Sequence, residues 1–410
     1  MLAVYGVHFA NQALPLITVP YLSRVLGPAS WGLLAMAQSF AIYANLLVDY
    51  GFLYSATREI ARAGSDHEVE NIIAGVSGAK ILLATFALLV TCLAYIVIPL
   101  FRQHPVLLWT AAASEVIKAL VPAYYFYGIK RVSTVSILDI SARAAAAIGI
   151  FVFVHGPADA WRVFVLTGIT SLLILLIGHG MMFSRYAPRR PRLDEGFKML
   201  RDAWAMFLFR SSHTIYVAGN AFILGLFASP QAVGYYAGAE KIGAAAVGLL
   251  SPFTTVLYPR AAALVKKSLS RAARATALSL YIVAAASLFL TLAMWFGASL
   301  IVPLILGHGF APSEGVLKVL SLRAPFIAWV NVLGFQWLLV LGLERQFQRV
   351  TVAALVLNVS LAIVLAPRFS YDGMAWAVVI SQFAAAVGIY IVLQRRGLNP
   401  FNMRATESYA

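Results

Sequence analysis

The sequence predicts an all-α integral membrane protein of about twelve transmembrane helices. Apolar side chains make up 61% of its 410 residues and charged ones 11%, a balance that leaves too little polar surface for water to be the main solvent. Apolar stretches of roughly 20 or more residues recur along the whole chain. At about 1.5 Å per helical residue, each is long enough to cross a hydrocarbon core of about 30 Å. The stretches are continuous and lack the alternation of apolar and polar positions, over about ten residues, that a membrane barrel strand shows.

Charged residues or Pro/Gly pairs separate the spans. The first, 2–23, has no basic leader and no small-residue cleavage site before a soluble domain, so it reads as a retained helix. The chain begins almost inside it, as though a short cytoplasmic stub were missing. Arg24, Gly27 and Pro28 separate it from the second span, 31–56, and Arg58 and Arg62 separate that from the third, 72–99. The fourth, 106–128, begins after Arg102 and Pro105; Lys130 and Arg131 precede the fifth, 133–155, and Gly156 and Pro157 the sixth, 160–184. A basic run from Arg185 to Arg201, with Pro188 and Pro191, then leads to 203–228 and, past Pro230, to 231–256. The last four spans, 275–306, 314–342, 347–367 and 372–394, are divided by Gly307 and Pro312, by Glu344 and Arg345, and by Arg368.

Orientation follows from the loops, because Lys and Arg are retained on the cytoplasmic side. With the N-terminus inside, the cytoplasmic breaks collect Arg58, Arg62, Lys130, Arg131, the whole Arg185–Arg201 run, Arg260, Lys266, Lys267, Arg345, Arg349, Arg395 and Arg396, whereas the opposite breaks hold Arg24, Arg102, Arg162 and Arg368. That asymmetry explains most of the +15 net charge and makes nucleic-acid binding an unnecessary reading of it. The expected location is the inner membrane, with both termini cytoplasmic.

The basic run divides the chain into an N-terminal lobe of six helices (1–190), a cytoplasmic linker (191–202) and a C-terminal lobe of six (203–410). An internal repeat supports the division. Pro28, Gly32, Ala35, Ala37, Gln38 and Arg58 recur as Pro230, Gly234, Ala237, Ala239, Glu240 and Arg260, at one constant offset. Copies six spans apart share an orientation, the arrangement of parallel-repeat transporters, whose cavity lies between the lobes.

Lys80, Lys118, Arg143, Arg210, Lys241, Lys318 and Arg323 fall within predicted spans. Facing lipid, each would cost about 2.5–3.5 kcal/mol at a helix centre, roughly 20 kcal/mol together, so a polar cavity is expected to hold many of them. Glu115 with Lys118 and Asp139 with Arg143 are spaced to pair along one helix face. Lys80, Arg210 and Lys318 lie within a few turns of a span end, where snorkelling competes with cavity lining, most of all for Lys80 and Lys318. Lys241 and Arg323 are deeper and have no acid three or four residues away. Glu240 points about 100° away from Lys241 and reads as a cavity-facing carboxyl able to accept a proton. Asp49 is the matching acid of the first lobe, or else a partner for Arg58 or Lys80 that fixes helix packing. Excess positive charge suits an anion, a phosphate above all, held by Arg forks and Lys point charges. Tyr43, Tyr54, Tyr124, Tyr216 and Trp329 could offer ring faces to sugars, although packing explains most such rings more simply.

The scattered His residues and lone Cys92 provide no metal motif, and no nucleophile elbow or P-loop occurs. No cofactor, catalytic group or ATP hydrolysis is expected.

Pro15, Pro20, Arg24, Gly27 and Pro28, then Gly32 to Ala35, then Val48-Asp49-Tyr50-Gly51-Phe52 and Ser55 to Ala61 resemble the ordered motifs of the Wzx-type O-antigen and exopolysaccharide repeat-unit flippases. These belong to the multidrug/oligosaccharidyl-lipid/polysaccharide (MOP) exporter superfamily. Tyr258, Pro259 and Arg260 resemble the end of that family's eighth helix. The resemblance implies a V-shaped MATE-like bundle of two six-helix lobes around a central cavity. Such a bundle turns over an undecaprenyl-diphosphate-linked oligosaccharide from the cytoplasmic to the periplasmic leaflet, beside a polysaccharide polymerase and a chain-length regulator. It makes Arg24 a diphosphate contact, or a cap near the outer headgroups. Asp49, Arg58 and Arg260 become motif positions that mark either substrate contact or lobe packing. The alternatives are a peptidoglycan-lipid flippase, which usually carries further helices; a drug exporter, which needs acidic intramembrane charge; and a polymerase or ligase, which needs a long periplasmic loop.

Overall fold

A computed structural model describes residues 2–187, 193–250, 263–265 and 267–401, without the side chains of 2–16, 193, 194, 205, 209 and 213. Among the described residues the chain is helical throughout its long elements and forms no strand. Among the described residues eight helices are long and apolar enough to cross a membrane. Large apolar side chains cover their outer faces: Phe296 is 77% exposed, Phe289 71% and Leu300 71%. Their buried faces are rich in alanine, with Ala111, Ala112, Ala277 and Ala298 fully covered. Lipid requires this inversion, because helix association there depends on close approach of small residues and not on removing apolar surface from water.

Ten of the twelve expected stretches map onto these helices, two pairs of them merged; the other two, 203–228 and 231–256, fall on the shorter or less apolar Leu193–Ala218, Asn220–Gly225 and Pro230–Gly248, with 251–256 outside the described residues. Spans 2–23 and 31–56 lie largely in one element, Leu2–Asp49, interrupted at non-helical Gly27 (φ 69°, ψ 171°). Spans 347–367 and 372–394 share Glu344–Arg395, interrupted at Ser370 (φ 51°, ψ −129°). The latter, at 52 residues, would be about 78 Å long as an unbroken rod, far beyond the thickness of a bilayer core. Such a segment has to bend, and the backbone bends where helical hydrogen bonding lapses. Span 106–128 is split by Val121 and Pro122 into Pro105–Leu120 and Ala123–Gly128, and 314–342 becomes Ser313–Ser321, Arg323–Trp329 and a π-helix over Val330–Leu338. Leu193–Asp202, within the expected linker, is the start of a helix that runs to Ala218.

Helix starts follow the capping residues. Ser65 accepts from the Glu68 amide at 3.3 Å while the Glu68 carboxylate accepts from Gly64 at 2.8 Å, which opens Asp66–Val97. Ser229 caps Pro230–Gly248, with Pro at its first position, and Ser268 caps Leu269–Leu306. The break before Pro230 falls at the repeat position of Gly27, which precedes Pro28.

The chain divides into two compact units, Met1–Phe222 and Ile223–Ala410. In the first, Phe52, Ile60, Ile73, Val76, Tyr124, Tyr125 and Met182 form a buried core where Phe52–Arg62, Asp66–Val97 and Ala123–Gly128 meet. In the second, Trp337, Tyr236, Phe310 and Leu317 are fully buried, and the Trp337 indole donates to the Leu398 carbonyl at 2.8 Å.

Candidate substrate site

In the first unit, two helices bring a pair of opposite charges together and a third helix buries a cation. Asp49 ends the Leu2–Asp49 helix, and Tyr50 (φ 46°) and Gly51 (φ 81°) follow it in the left-handed region. The break lies against Leu193–Ala218: the Tyr50 ring stacks on Phe207 with centroids 4.3 Å apart. A Cβ at Gly51 would stand 3.1 Å from Met206 Cγ and 3.3 Å from the Phe207 amide nitrogen. Glycine therefore meets both the conformational and the spatial demand there. One turn beyond Met206 and Phe207, Arg210 forms an ion pair with Asp49, its guanidinium 5.7 Å from the Tyr54 ring centroid. The pair is partly open, with side chains 28% and 17% exposed for Arg210 and Asp49.

The buried cation is Lys80, on Asp66–Val97. Its side chain is buried, Nζ donates to the Ala119 carbonyl at 2.5 Å, and the ammonium lies 5.3 Å from the Tyr124 ring centroid. Close helix approach encloses it: a Cβ at Gly196 would stand 3.0 Å from the Ala79 backbone nitrogen. Snorkelling, favoured for Lys80 from its place in the span, is overturned by this burial. Likewise Asp49 pairs across helices with Arg210, and not with Arg58 or Lys80. Neither outcome has a periodic signal, because both depend on which helices become neighbours. The run Ala74-Gly75-Val76-Ser77-Gly78-Ala79 was the available clue, since small residues mark a close helix contact and bury whatever follows.

The two intrahelical pairs form as their spacing requires, Lys118 with Glu115 at 3.3 Å and Arg143 with Asp139 at 2.9 Å, both cations substantially exposed. Arg24 is exposed one turn before the Gly27 kink, and Arg58 is exposed on Phe52–Arg62.

In the second unit Arg323 is 8% exposed. Its Nη2 donates to the Glu240 backbone carbonyl at 3.5 Å, and Nε has no hydrogen-bond partner among the described residues. Gly243 makes room for it, because a Cβ there would stand 3.3 Å from Nη2. The Glu240 carboxylate accepts from Tyr236 at 3.1 Å, and Lys241 is exposed. The same unit holds an apolar cavity of ≈ 280 Å³ lined by Phe326, Trp329, Phe383 and Tyr390. Arg260 lies outside the described residues. Among the described residues no cluster of His, Cys, Asp and Glu could hold a metal.

Polar groups buried in apolar helices, cations foremost, suit the binding of an anion in a membrane. The profile of the family described as polysaccharide biosynthesis protein matches residues 1–265. The chain belongs to that family. Two relatives carry the name "Putative O-antigen transporter": one from Escherichia coli K12, 31% identical over 389 residues and covering 89% of both chains, and one from Shigella dysenteriae, 26% identical over 387 residues and covering 93% of this chain and 95% of its own. Among solved structures, the lipid II flippase MurJ in an inward closed conformation matches with a TM-score of 0.76 at 12% identity, over 96% of this chain and 87% of its own. An inward-facing MATE-family multidrug resistance transporter of the MOP superfamily matches with a TM-score of 0.70 at 14% identity, over 96% of both chains. This member of the polysaccharide biosynthesis family is thus a multi-pass membrane protein with the helical fold of MOP transporters, as its motifs had implied.

Proposed function

We propose that this protein is a flippase that carries an undecaprenyl-diphosphate-linked oligosaccharide repeat unit from the cytoplasmic to the periplasmic leaflet of the bacterial inner membrane, for O-antigen or exopolysaccharide synthesis. The observation that carries this reading is the near full-length similarity to the Escherichia coli protein named as an O-antigen transporter, at 31% identity. The cations held within the apolar helices agree with it. A diphosphate needs Arg forks and Lys charges in a low-dielectric setting, and Arg210, Lys80 and Arg323 provide them within apolar helices. The MurJ likeness, at 12% identity, supports the fold and leaves the cargo to the sequence relatives.

On this reading Arg24, Lys118, Arg143, Arg210, Lys241 and Arg323 contact the diphosphate or line its path. Asp49 and Glu240 are the acids available for ion coupling, and Arg58 and Arg260 serve lobe packing. Two six-helix lobes joined at 191–202 alternate access, both termini face the cytoplasm, and a polymerase and a chain-length regulator receive the product.

The experiment is the sidedness of the labelled lipid-linked unit in cells depleted of this protein, read by whether periplasmic glycan-processing enzymes reach it. Accumulation on the cytoplasmic face supports the flippase. A unit that flips normally yet stays unpolymerised would assign the chain to polymerisation and sink the proposal.

A further inference from the structure

We propose that a cavity at the cytoplasmic end of the first unit binds the phosphodiester headgroup of an anionic membrane lipid. The site is separate from the cargo path of the flippase reading, because it takes a lipid that stays in its own leaflet.

Three breaks that the sequence places on the cytoplasmic side meet around this cavity of ≈ 620 Å³. Gly64, Ser65 and Asp66 line it from the first, Lys130 from the second, and Arg185 and Tyr186 from the third. That volume lies in the range of pockets that enclose small ligands, about 300–1,000 Å³. Two cations and one carboxylate line it, and among the described residues neither cation forms an ion pair. Asp66 belongs to the first turn of Asp66–Val97, where the helix dipole offsets part of its charge. An anion is therefore the ligand that the charge balance favours.

The groups around the cavity suit a phosphate. The Arg185 guanidinium lies 5.6 Å from the Tyr186 ring centroid, and Tyr186 is buried with its ring edge-on to Tyr125 at 5.9 Å. The ring contact anchors the guanidinium while its N–H groups remain able to bond a pair of phosphate oxygens. The Ser65 oxygen accepts from the Glu68 amide at 3.3 Å and keeps its own proton to donate. Lys130 carries the strongest signal. It follows Ala123–Gly128 in the left-handed region (φ 59°), its amide donating to the Tyr127 carbonyl at 3.1 Å and the Arg131 amide to the Phe126 carbonyl at 2.8 Å. That hydrogen-bond pattern ends helices most comfortably on glycine, and a side chain there is strained. Topology does not require the strain, since a charge anywhere in the break serves orientation and Arg131 next door supplies one. A lysine held at this position is explained by what its ammonium meets. Membrane-crossing helices end at headgroup level, where anionic lipid attracts Lys and Arg.

The test measures thermal unfolding of the full-length protein in phosphatidylcholine nanodiscs with a rising fraction of phosphatidylglycerol. The wild type should melt higher as the anionic lipid fills the site. Lys130→Gly and Arg185→Gln should each need about fivefold more phosphatidylglycerol for the same shift, the loss expected for one cation near the surface. In pure phosphatidylcholine Lys130→Gly should melt no lower than the wild type, because glycine relieves the left-handed strain, so its weaker response is not a folding defect. Arg62→Gln removes a cation of the first break that does not line the cavity and should respond as the wild type does. An equal loss in Arg62→Gln would assign the effect to diffuse surface charge and overturn the site, as would an unchanged response in both cavity variants. Glycerophosphate that reproduces the full shift in pure phosphatidylcholine would assign the site to a free phosphate ester and overturn the lipid.

Discussion

At the scale of single residues, the cost of buried charge decides which side chains matter. Lys80 is covered on every side and its ammonium is met by the Ala119 carbonyl, so its removal trades a desolvation penalty against one orphaned carbonyl. Lys80→Met should therefore shift the melting temperature by no more than a few degrees, equivalent to about 1 kcal/mol. Lys80→Glu would bury a carboxylate against that carbonyl and should destabilise by more than about 3 kcal/mol. Thermal unfolding of the purified variants separates the two. Arg323 presents the opposite case. Among the described residues its Nε is buried without a partner and one Nη makes a long contact of 3.5 Å, so the fold gains little from it. Arg323→Gln should leave thermal stability almost unchanged while lowering translocation by about tenfold or more, the range expected when a charge-assisted contact to a phosphate is lost. Gly243→Val, which intrudes on the guanidinium from the facing helix, should reproduce that loss.

At the scale of elements, helix junctions position the charges. The Gly196–Ala79 contact holds Leu193–Ala218 against Asp66–Val97, and the backbone there leaves no flexible atom to yield. Gly196→Leu should destabilise the protein by about 1–3 kcal/mol through overpacking. It should also open Lys80 to amine-reactive labelling, read by mass spectrometry of the modified peptide. An unchanged melting curve and a protected Lys80 would mean that this contact does not enclose the charge. Gly51, left-handed and against Met206, shows the same dependence of a site on a junction, since it sets where Asp49 arrives.

At the scale of the whole molecule, topology is the testable property. Cys92 is the sole cysteine, so a Cys92→Ser background permits single cysteines to be placed at will. With the N-terminus inside, cysteines near Gly64, Lys130 or Tyr186 should resist a membrane-impermeant maleimide in spheroplasts, whereas those near Gln103, Gly156 or Gly309 should react. Labelling at both Gly64 and Gln103 would break the alternation that the positive-inside pattern requires.

The sequence by itself determined that this is a helical membrane protein of the transporter type. Hydropathy, loop charge and motif order are local properties of the chain, and lipid reads them before any helix meets another. It also determined the Glu115–Lys118 and Asp139–Arg143 pairs, because one helix's geometry is enough to bring such residues together. Tertiary structure alone decided that Asp49 answers to Arg210, that Lys80 is enclosed, and that Arg323 rests against Gly243. Those outcomes join side chains tens to more than a hundred residues apart. The periodicity of one helix specifies a face, while the neighbour that fills it is chosen only when all the helices compete to pack.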